Sequence, residues 1–159
     1  MNRFRGGIDV QVVRKKKLKI AVFCQKRIPS REGGVEIVVE ELATRVASRR
    51  YQVTVYNRSG HHVSAEFDGK KLNTYKGVCI KTVPTIQRRG LAAVSSSFFA
   101  SLCAAWGNYD VVHIHAEGPT FWCTIPKLFG KKVIVTIHGW KDIIWLNQKT
   151  PHKYSVLTA

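Results

Sequence analysis

Short apolar segments alternate with longer amphipathic segments along most of the chain. The short segments are typical of strands that are buried on both faces of a parallel sheet. Five strands are predicted in this way, over residues 18–24, 52–57, 77–84, 110–116 and 131–139. Helices are predicted between them, over residues 35–50, 91–106 and 118–130. This alternation predicts an α/β fold with a Rossmann-like, doubly wound parallel sheet.

The helix predicted over residues 35–50 has the clearest periodicity. Its apolar positions recur at helical spacing, at Val35, Val38, Val39, Leu42 and Val46. Acidic residues lie in its first half and arginines in its last turn, which complements the helix dipole. The helix predicted over residues 118–130 opens with Gly-Pro but contains Pro126, so we expect a bend there. Residues 58–76 are polar, which predicts irregular structure or a small hairpin.

Three segments are predicted. Residues 1–17 form a basic arm, residues 18–139 contain the predicted strands and helices and form the folded domain, and residues 140–159 follow the last predicted strand as a tail. No run of 18 apolar residues occurs, so no membrane-spanning helix is expected. The four cysteines lie in apolar segments without a CxxC pair, which is typical of reduced core cysteines in a cytoplasmic protein.

The charge of the chain is strongly positive. It has 26 lysines and arginines against 10 acidic residues, a formal net charge of +16 at pH 7. Such a charge favours an anionic partner: nucleic acid, a phosphorylated small molecule or an acidic membrane surface. Nucleic acid is the least favoured, because aromatic residues such as Phe98 and Trp122 lie in apolar helices rather than among basic residues.

Ligands of open parallel sheets bind at the carboxyl ends of the strands. The loop over residues 25–34 lies there, and it ends in Gly33 and Gly34 directly before a predicted helix. Free N–H groups at a helix start can hold a phosphate, and glycine lets the anion approach the backbone. The alternative is a tight turn. The chain lacks both GxGxxG and GxxxxGK[ST], so neither a dinucleotide nor an ATP-type phosphate loop is predicted.

For other polar residues at this edge, the sequence allows a structural role as well as a functional one. Glu36 can complement the helix dipole, and Arg27 and Arg31 can contact phosphates or only solvent. His113 and His115 share one face of a strand and His138 ends the next, so these side chains can be core residues or ligand contacts. His113, His115, His138 and Cys123 lack the short spacings of a zinc site. No metal and no cofactor are predicted.

The segment KIAVFCQKRIPSREGGVEIVVEELATRVASRRYQVTVYNRS (19–59) resembles the opening of bacterial glycosyltransferases of the family 4 type, which have the GT-B fold. YKGVCIKTVPT (75–85), YDVVHIHAEGP (109–119) and LFGKKVIVTIHG (128–139) match later pieces in order. The resemblance covers roughly residues 18–139 and is greatest to rhamnosyltransferase-like polysaccharide enzymes.

The resemblance implies transfer of a sugar from a nucleoside diphosphate sugar to a carbohydrate or lipid-linked acceptor. It places Gly33 and Gly34 near the donor diphosphate and the acceptor, with Glu36 nearby. It has His138 face the reacting sugar and His115 line the cleft.

The same resemblance implies that the chain supplies the N-terminal, acceptor-side half of the enzyme, while most of the donor site lies in a C-terminal half. A lone chain is then expected to be inactive, and the loosely matching tail to come from a truncated, frameshifted or split enzyme. One alternative is a basic non-catalytic module that binds an anionic polymer or membrane surface. A nucleotide-binding oxidoreductase fragment is disfavoured by the missing GxGxxG.

Overall fold

The computed structural model describes residues 17–60, 72–116, 120–138 and 155–158. These residues form one sheet with helices on both faces. Its strands lie in the order β3-β4-β2-β1-β5-β6-β7. Their bounds are β1 Lys19–Phe23, β2 Gln52–Arg58, β3 Thr74–Tyr75, β4 Val78–Val83, β5 Val111–Ala116, β6 Lys132–Ile137 and β7 Ser155–Thr158.

The five central strands, from β4 to β6, are all parallel to one another. The predicted α/β class with a Rossmann-like, doubly wound sheet is therefore confirmed. The two edge strands, β3 and β7, are antiparallel, which the sequence pattern did not predict. β3 and β4 form a small hairpin around Lys76 and Gly77, whose φ angles of 44° and 82° suit a two-residue hairpin turn. Most of the polar segment before this hairpin lies outside the described residues.

The order of the strands reverses at β1. β2 and β4 follow β1 on one side of it, whereas β5 and β6 extend the sheet on the other side. A crevice therefore opens between the carboxyl ends of β1 and β5, and ligands of open α/β sheets bind at such a switch point.

Two apolar clusters cover the two faces of the sheet. Ala21 and Phe23 of β1 point to one face and pack there with residues of the second helix, whereas Val22 points to the other face and packs with Val39 of the first helix. Alternate side chains of a strand point to opposite faces, so a strand buried on both sides must be apolar throughout. This explains why β1 could be predicted from an uninterrupted apolar run.

The helices are α1 Gly34–Ser48, α2 Leu91–Trp106 and α3 Thr124–Leu128. The predicted single helix over residues 118–130 is wrong. A 3-10 turn at Thr120–Cys123 precedes the short α3, and the start of the predicted helix lies outside the described residues. Pro126 is buried in the first turn of α3, where its missing N–H removes no helical hydrogen bond.

Candidate functional site

The loop between β1 and α1 is held in place by side chains from two directions. Asn57, at the end of β2, accepts a hydrogen bond from Ile28 N (3.1 Å), and its Nδ2 donates to Ile28 O (2.8 Å). On the helix side, Glu36 Oε1 accepts a hydrogen bond from Lys26 N (3.2 Å). Asn57 and Glu36 are both 6% exposed, so these bonds are shielded from water. The loop is therefore preorganised by the protein itself.

Gly33 is the residue directly before α1. Its backbone is extended, with φ −153° and ψ 155°, and its carbonyl accepts a hydrogen bond from Ile37 N (3.3 Å). A Cβ built on Gly33 would collide with Glu36 Oε2. Gly33 is therefore glycine because the Glu36 carboxylate lies over its Cα, and not because its φ angle requires it.

Gly34, the first residue of α1, is in a different situation. A Cβ built on it meets no heavy atom within 4 Å, and its φ angle is not positive. Packing and backbone conformation among the described residues therefore give no reason for a glycine here. The first N–H groups of a helix have no intrahelical acceptor, and no side chain caps α1. This surface can admit a ligand close to the backbone.

Arg31 and Glu40 give the loop a further anchor. Arg31 lies 3.8 Å from Glu40, a carboxylate on the buried face of α1 that also accepts a hydrogen bond from the Tyr75 hydroxyl (2.9 Å). The structure thus places Arg31 in a contact within the protein, which neither reading of the sequence anticipated. Glu36 and Glu40 lie on the buried face of α1, whereas Val38 and Leu42 are 40% and 38% exposed.

The histidines of β5 and the end of β6 form a stacked group. His115 Nδ1 lies 2.8 Å from His138 Nε2, and the two rings are 5.1 Å apart and nearly parallel. His113 contacts the same group: its ring lies 4.2 Å from that of His115, and its Nε2 lies 2.8 Å from Thr136 Oγ1. His115 is only 1% exposed, so a ligand at the carboxyl edge of the sheet could contact His138 but not the His115 ring.

Burial keeps two of these rings uncharged. Burial, followed by the charge of the neighbouring histidines, lowers the pKa of His115 to about 3 and that of His113 to about 4. At neutral pH His115 therefore exchanges a single hydrogen bond with His138 as a neutral ring, which fixes the orientation of both.

Cys24 is an unusual residue at the end of β1. Its φ angle is 85°, a conformation that non-glycine residues rarely adopt and that is concentrated at functional sites. Its Sγ lies 3.2 Å from Ser97 Oγ, and burial raises the pKa of the thiol, which disfavours a nucleophilic role. All four cysteines are unpaired, but Cys103 is exposed, so the prediction of four core cysteines is wrong for Cys103.

A pocket of about 390 Å³ opens beside the loop, at the carboxyl ends of β1, β2 and β4 and the start of α2. Its lining residues are mostly polar or basic: Lys26, Glu32, Arg58, Ser59, Gly60, Thr85, Gln87, Arg88, Arg89 and Ala92. Sequence reasoning missed this pocket. The available signals were Arg58 at the end of a predicted strand and Arg88-Arg89-Gly90 directly before a predicted helix.

The sequence predicts neither a metal site nor a membrane-spanning helix. Within the residues that the structure describes, no three histidine, cysteine or acidic side chains are grouped so that they could hold a metal ion. No helix among them is long and apolar enough to cross a membrane.

Comparison with known proteins gives one match. A search of curated proteins finds no relative. The family model for glycosyltransferase family 4 matches residues 32–158, about four-fifths of the chain. The Rossmann-like sheet with helices on both faces agrees with the N-terminal half of a GT-B fold. The chain therefore belongs to glycosyltransferase family 4.

Proposed function

We propose that this chain forms the acceptor side of a glycosyltransferase that moves a sugar from a nucleoside diphosphate sugar to a carbohydrate or lipid-linked acceptor. The observation that carries the proposal is the open face of Gly34. It lies at a helix start, beside the switch point of the sheet, and a side chain there would meet nothing in the described protein. A glycine here leaves room for an anion to approach the first N–H groups of the helix.

In this proposal the start of α1 contacts the diphosphate or the acceptor group next to it. Negative charge develops on the leaving diphosphate during transfer, and oriented N–H groups stabilise such charge without reorganising. The hydrogen bonds that Lys26 N donates to Glu36 and Ile28 N donates to Asn57 hold the loop ready for this contact. Gly33 contributes by leaving room for the Glu36 carboxylate.

His138 is proposed to face the reacting sugar, with His115 as a positioning residue behind it. The 2.8 Å contact between them fixes the plane of the His138 ring. Burial keeps His115 neutral, so its ring adds no positive charge beside His138. A ring nitrogen of fixed orientation can exchange a hydrogen bond with a sugar hydroxyl.

The donor side of the cleft is proposed to come from a second Rossmann-like half, so this chain alone should transfer no sugar. The test is turnover with a panel of nucleoside diphosphate sugars, rhamnose donors included, for this chain alone and after fusion to the donor half of a family 4 enzyme. Turnover only after fusion supports the proposal. Turnover by the chain alone would contradict the division of the site between two halves.

A second candidate function, peripheral binding to an anionic membrane, is favoured by one surface. Trp106, Leu128 and Phe129 are 71%, 79% and 50% exposed, and the Trp106 and Phe129 rings lie 6.1 Å apart. Lys127 and Lys132 flank them, and we call these five residues the Trp106 patch. Aromatic and aliphatic side chains bordered by lysines suit the interface of an acidic bilayer.

The Trp106 patch lies at the ends of α2 and α3 and the start of β6. It therefore occupies the edge of the sheet opposite the loop before α1, and a bilayer bound there would leave the proposed transfer site open. The basic arm over residues 1–17 lies almost entirely outside the described residues. This surface supports a location at the inner face of a cytoplasmic membrane.

A further inference from the structure

We propose that the basic pocket beside the loop binds the anionic group, a phosphate or a carboxylate, of the sugar acceptor. The inference rests on the proposed transferase function and adds the chemical class of one substrate to it. The pocket is distinct from the histidine group, since it lies at the ends of β1, β2 and β4 rather than of β5 and β6. It adjoins the start of α1 without including it, since no residue of α1 lines it.

Charge is the first support. The pocket is lined by four basic residues, Lys26, Arg58, Arg88 and Arg89, against one acidic residue, Glu32. They come from three separate segments of the chain and converge only through the fold. A concave surface lined by one sign of charge concentrates the potential that attracts an oppositely charged ligand. Arginine in particular forms paired hydrogen bonds with phosphate and carboxylate oxygens.

The second support is that hydrogen bonds of the fold hold the guanidinium of Arg58 and the backbone of Lys26 and Arg88. Arg58 Nη2 donates to Cys24 O (3.1 Å), and Arg58 N donates to Lys26 O (2.9 Å), which ties the first two bases together. Arg88 O accepts from Leu91 N (3.0 Å) and so fixes the backbone of Arg88 at the start of α2. Binding an anion then orders fewer groups, which lowers the entropic cost of association.

The remaining wall suits the neutral part of a sugar. Ser59 and Gln87 line it with a hydroxyl and an amide, groups that exchange hydrogen bonds with sugar hydroxyls. The Thr85 hydroxyl is already engaged, since it accepts from Ser59 N (3.1 Å) and donates to Val83 O (3.2 Å). Gly60 has a φ angle of 145°, which favours glycine at this position, and the Gln87 amide lies beside it.

Size favours the acceptor over the donor. At about 390 Å³ the pocket is near the lower end of small-molecule sites. It has room for one sugar ring with one charged group, whereas a nucleoside diphosphate sugar is several times longer. The pocket also adjoins the proposed transfer site, because Lys26 lines it while its N–H is bound to Glu36.

The test is calorimetric titration of the whole chain with glucose 6-phosphate, glucuronate, glucose and uridine diphosphate. The first two distinguish phosphate from carboxylate as the source of the anion. We expect at least one of them to bind, glucose not to bind, and Arg88→Gln/Arg89→Gln to weaken binding by about tenfold or more. The matched control, Lys127→Gln/Lys132→Gln, removes the same charge from exposed residues elsewhere and should leave the affinity unchanged.

Equal weakening by both double variants would overturn the inference, because binding would then follow net charge alone. Binding of uridine diphosphate that competes with the sugar anion and is lost in Arg88→Gln/Arg89→Gln would also overturn it, by making the pocket a donor site. The titration needs no turnover. If the sugar anion bound at the pocket but the fused enzyme showed no turnover, the transferase proposal would be contradicted. If the fused enzyme turned over and Arg88→Gln/Arg89→Gln left that turnover unchanged, this inference alone would be contradicted.

Discussion

The carboxylate of Glu36 lies over Gly33 and fills the space that a side chain at position 33 would enter. The same carboxylate accepts the hydrogen bond from Lys26 N, eight residues before Gly34. The Glu36 carboxylate therefore links Gly33 to the backbone of Lys26, so a side chain at position 33 would disturb the loop between them. Gly34, next in the chain, has no such constraint from the described protein.

Gly33→Ala should lower the free energy of unfolding. The new methyl group displaces the Glu36 carboxylate, and loss of its buried hydrogen bond to Lys26 N costs about 1–2 kcal/mol. Urea unfolding measures this change. In a Glu36→Ala background the same substitution should cost much less, because the obstructing carboxylate is gone. Additive effects of the two substitutions would show that Glu36 is not the reason for Gly33.

Gly34→Ala should leave stability unchanged or raise it. A Cβ at this position meets nothing within 4 Å, and replacing glycine by alanine in a helix at a compatible φ angle stabilises by about 0.5–1 kcal/mol. Urea unfolding beside Gly33→Ala gives the comparison. A clear loss of stability would mean that the fold, and not a ligand, requires glycine at position 34.

Acid should destabilise the protein through His115. The pKa of His115 is about 3 in the folded protein and about 6.5 in the unfolded chain. Above pH 6.5 neither state binds the proton. Below it the unfolded state does, so stability falls by about 1.4 kcal/mol per pH unit for this histidine until the pH nears 3. The lowered pKa of His113 adds to the same trend.

His115→Asn isolates this contribution, because the Asn amide can replace Nδ1 in the contact with His138. Unfolding free energies measured from pH 7 to pH 4.5 should depend less steeply on pH in the variant, by roughly one proton. Equal slopes for the parent and the variant would contradict the assignment of a neutral, buried His115.

Binding to anionic vesicles should depend on both components of the Trp106 patch. Lys127→Gln/Lys132→Gln should weaken binding at low salt, since each base near such a surface contributes about 1 kcal/mol. Trp106→Ser/Leu128→Ser should weaken it at all salt concentrations by removing the exposed apolar groups. Ile86→Ser is the control, because Ile86 is 51% exposed at the other edge of the sheet. If none of these substitutions altered co-sedimentation with the vesicles, the Trp106 patch would be excluded as the membrane-binding surface.

The sequence correctly predicted the strands and the helix in which buried residues recur in a regular pattern. β1 and β5 are apolar because both of their faces are covered, and α1 begins at a Gly-Gly pair that breaks the preceding loop. The positions of Gly33, Gly34, Glu36 and His138 near the carboxyl ends of strands follow from the predicted alternation of strands and helices. That these residues bind a ligand stays a prediction. What each residue contacts was not predictable, because the bond from Lys26 N to Glu36 and the contact of His115 with His138 form only when the loop and the strands are folded.

The remaining errors concern one helix and one pocket, whose form depends on tertiary contacts. The predicted helix over residues 118–130 ignored the 3-10 turn before Thr124, which moves Pro126 into a first turn where proline is tolerated. The basic pocket escaped notice because Arg58 and Arg88 are 30 residues apart and meet only when β2 and β4 pair.

The most direct test of the proposed transfer site is the turnover of Gly34→Val after fusion to the donor half of a family 4 enzyme, measured beside its melting temperature. Ile37→Val is the matched control, since Ile37 lies one turn further along α1 and is 37% exposed. We expect Gly34→Val to lose most turnover without a lower melting temperature, and Ile37→Val to keep both. Near-full turnover of Gly34→Val would contradict the account, because the Gly33-Gly34 pair would then be only a turn.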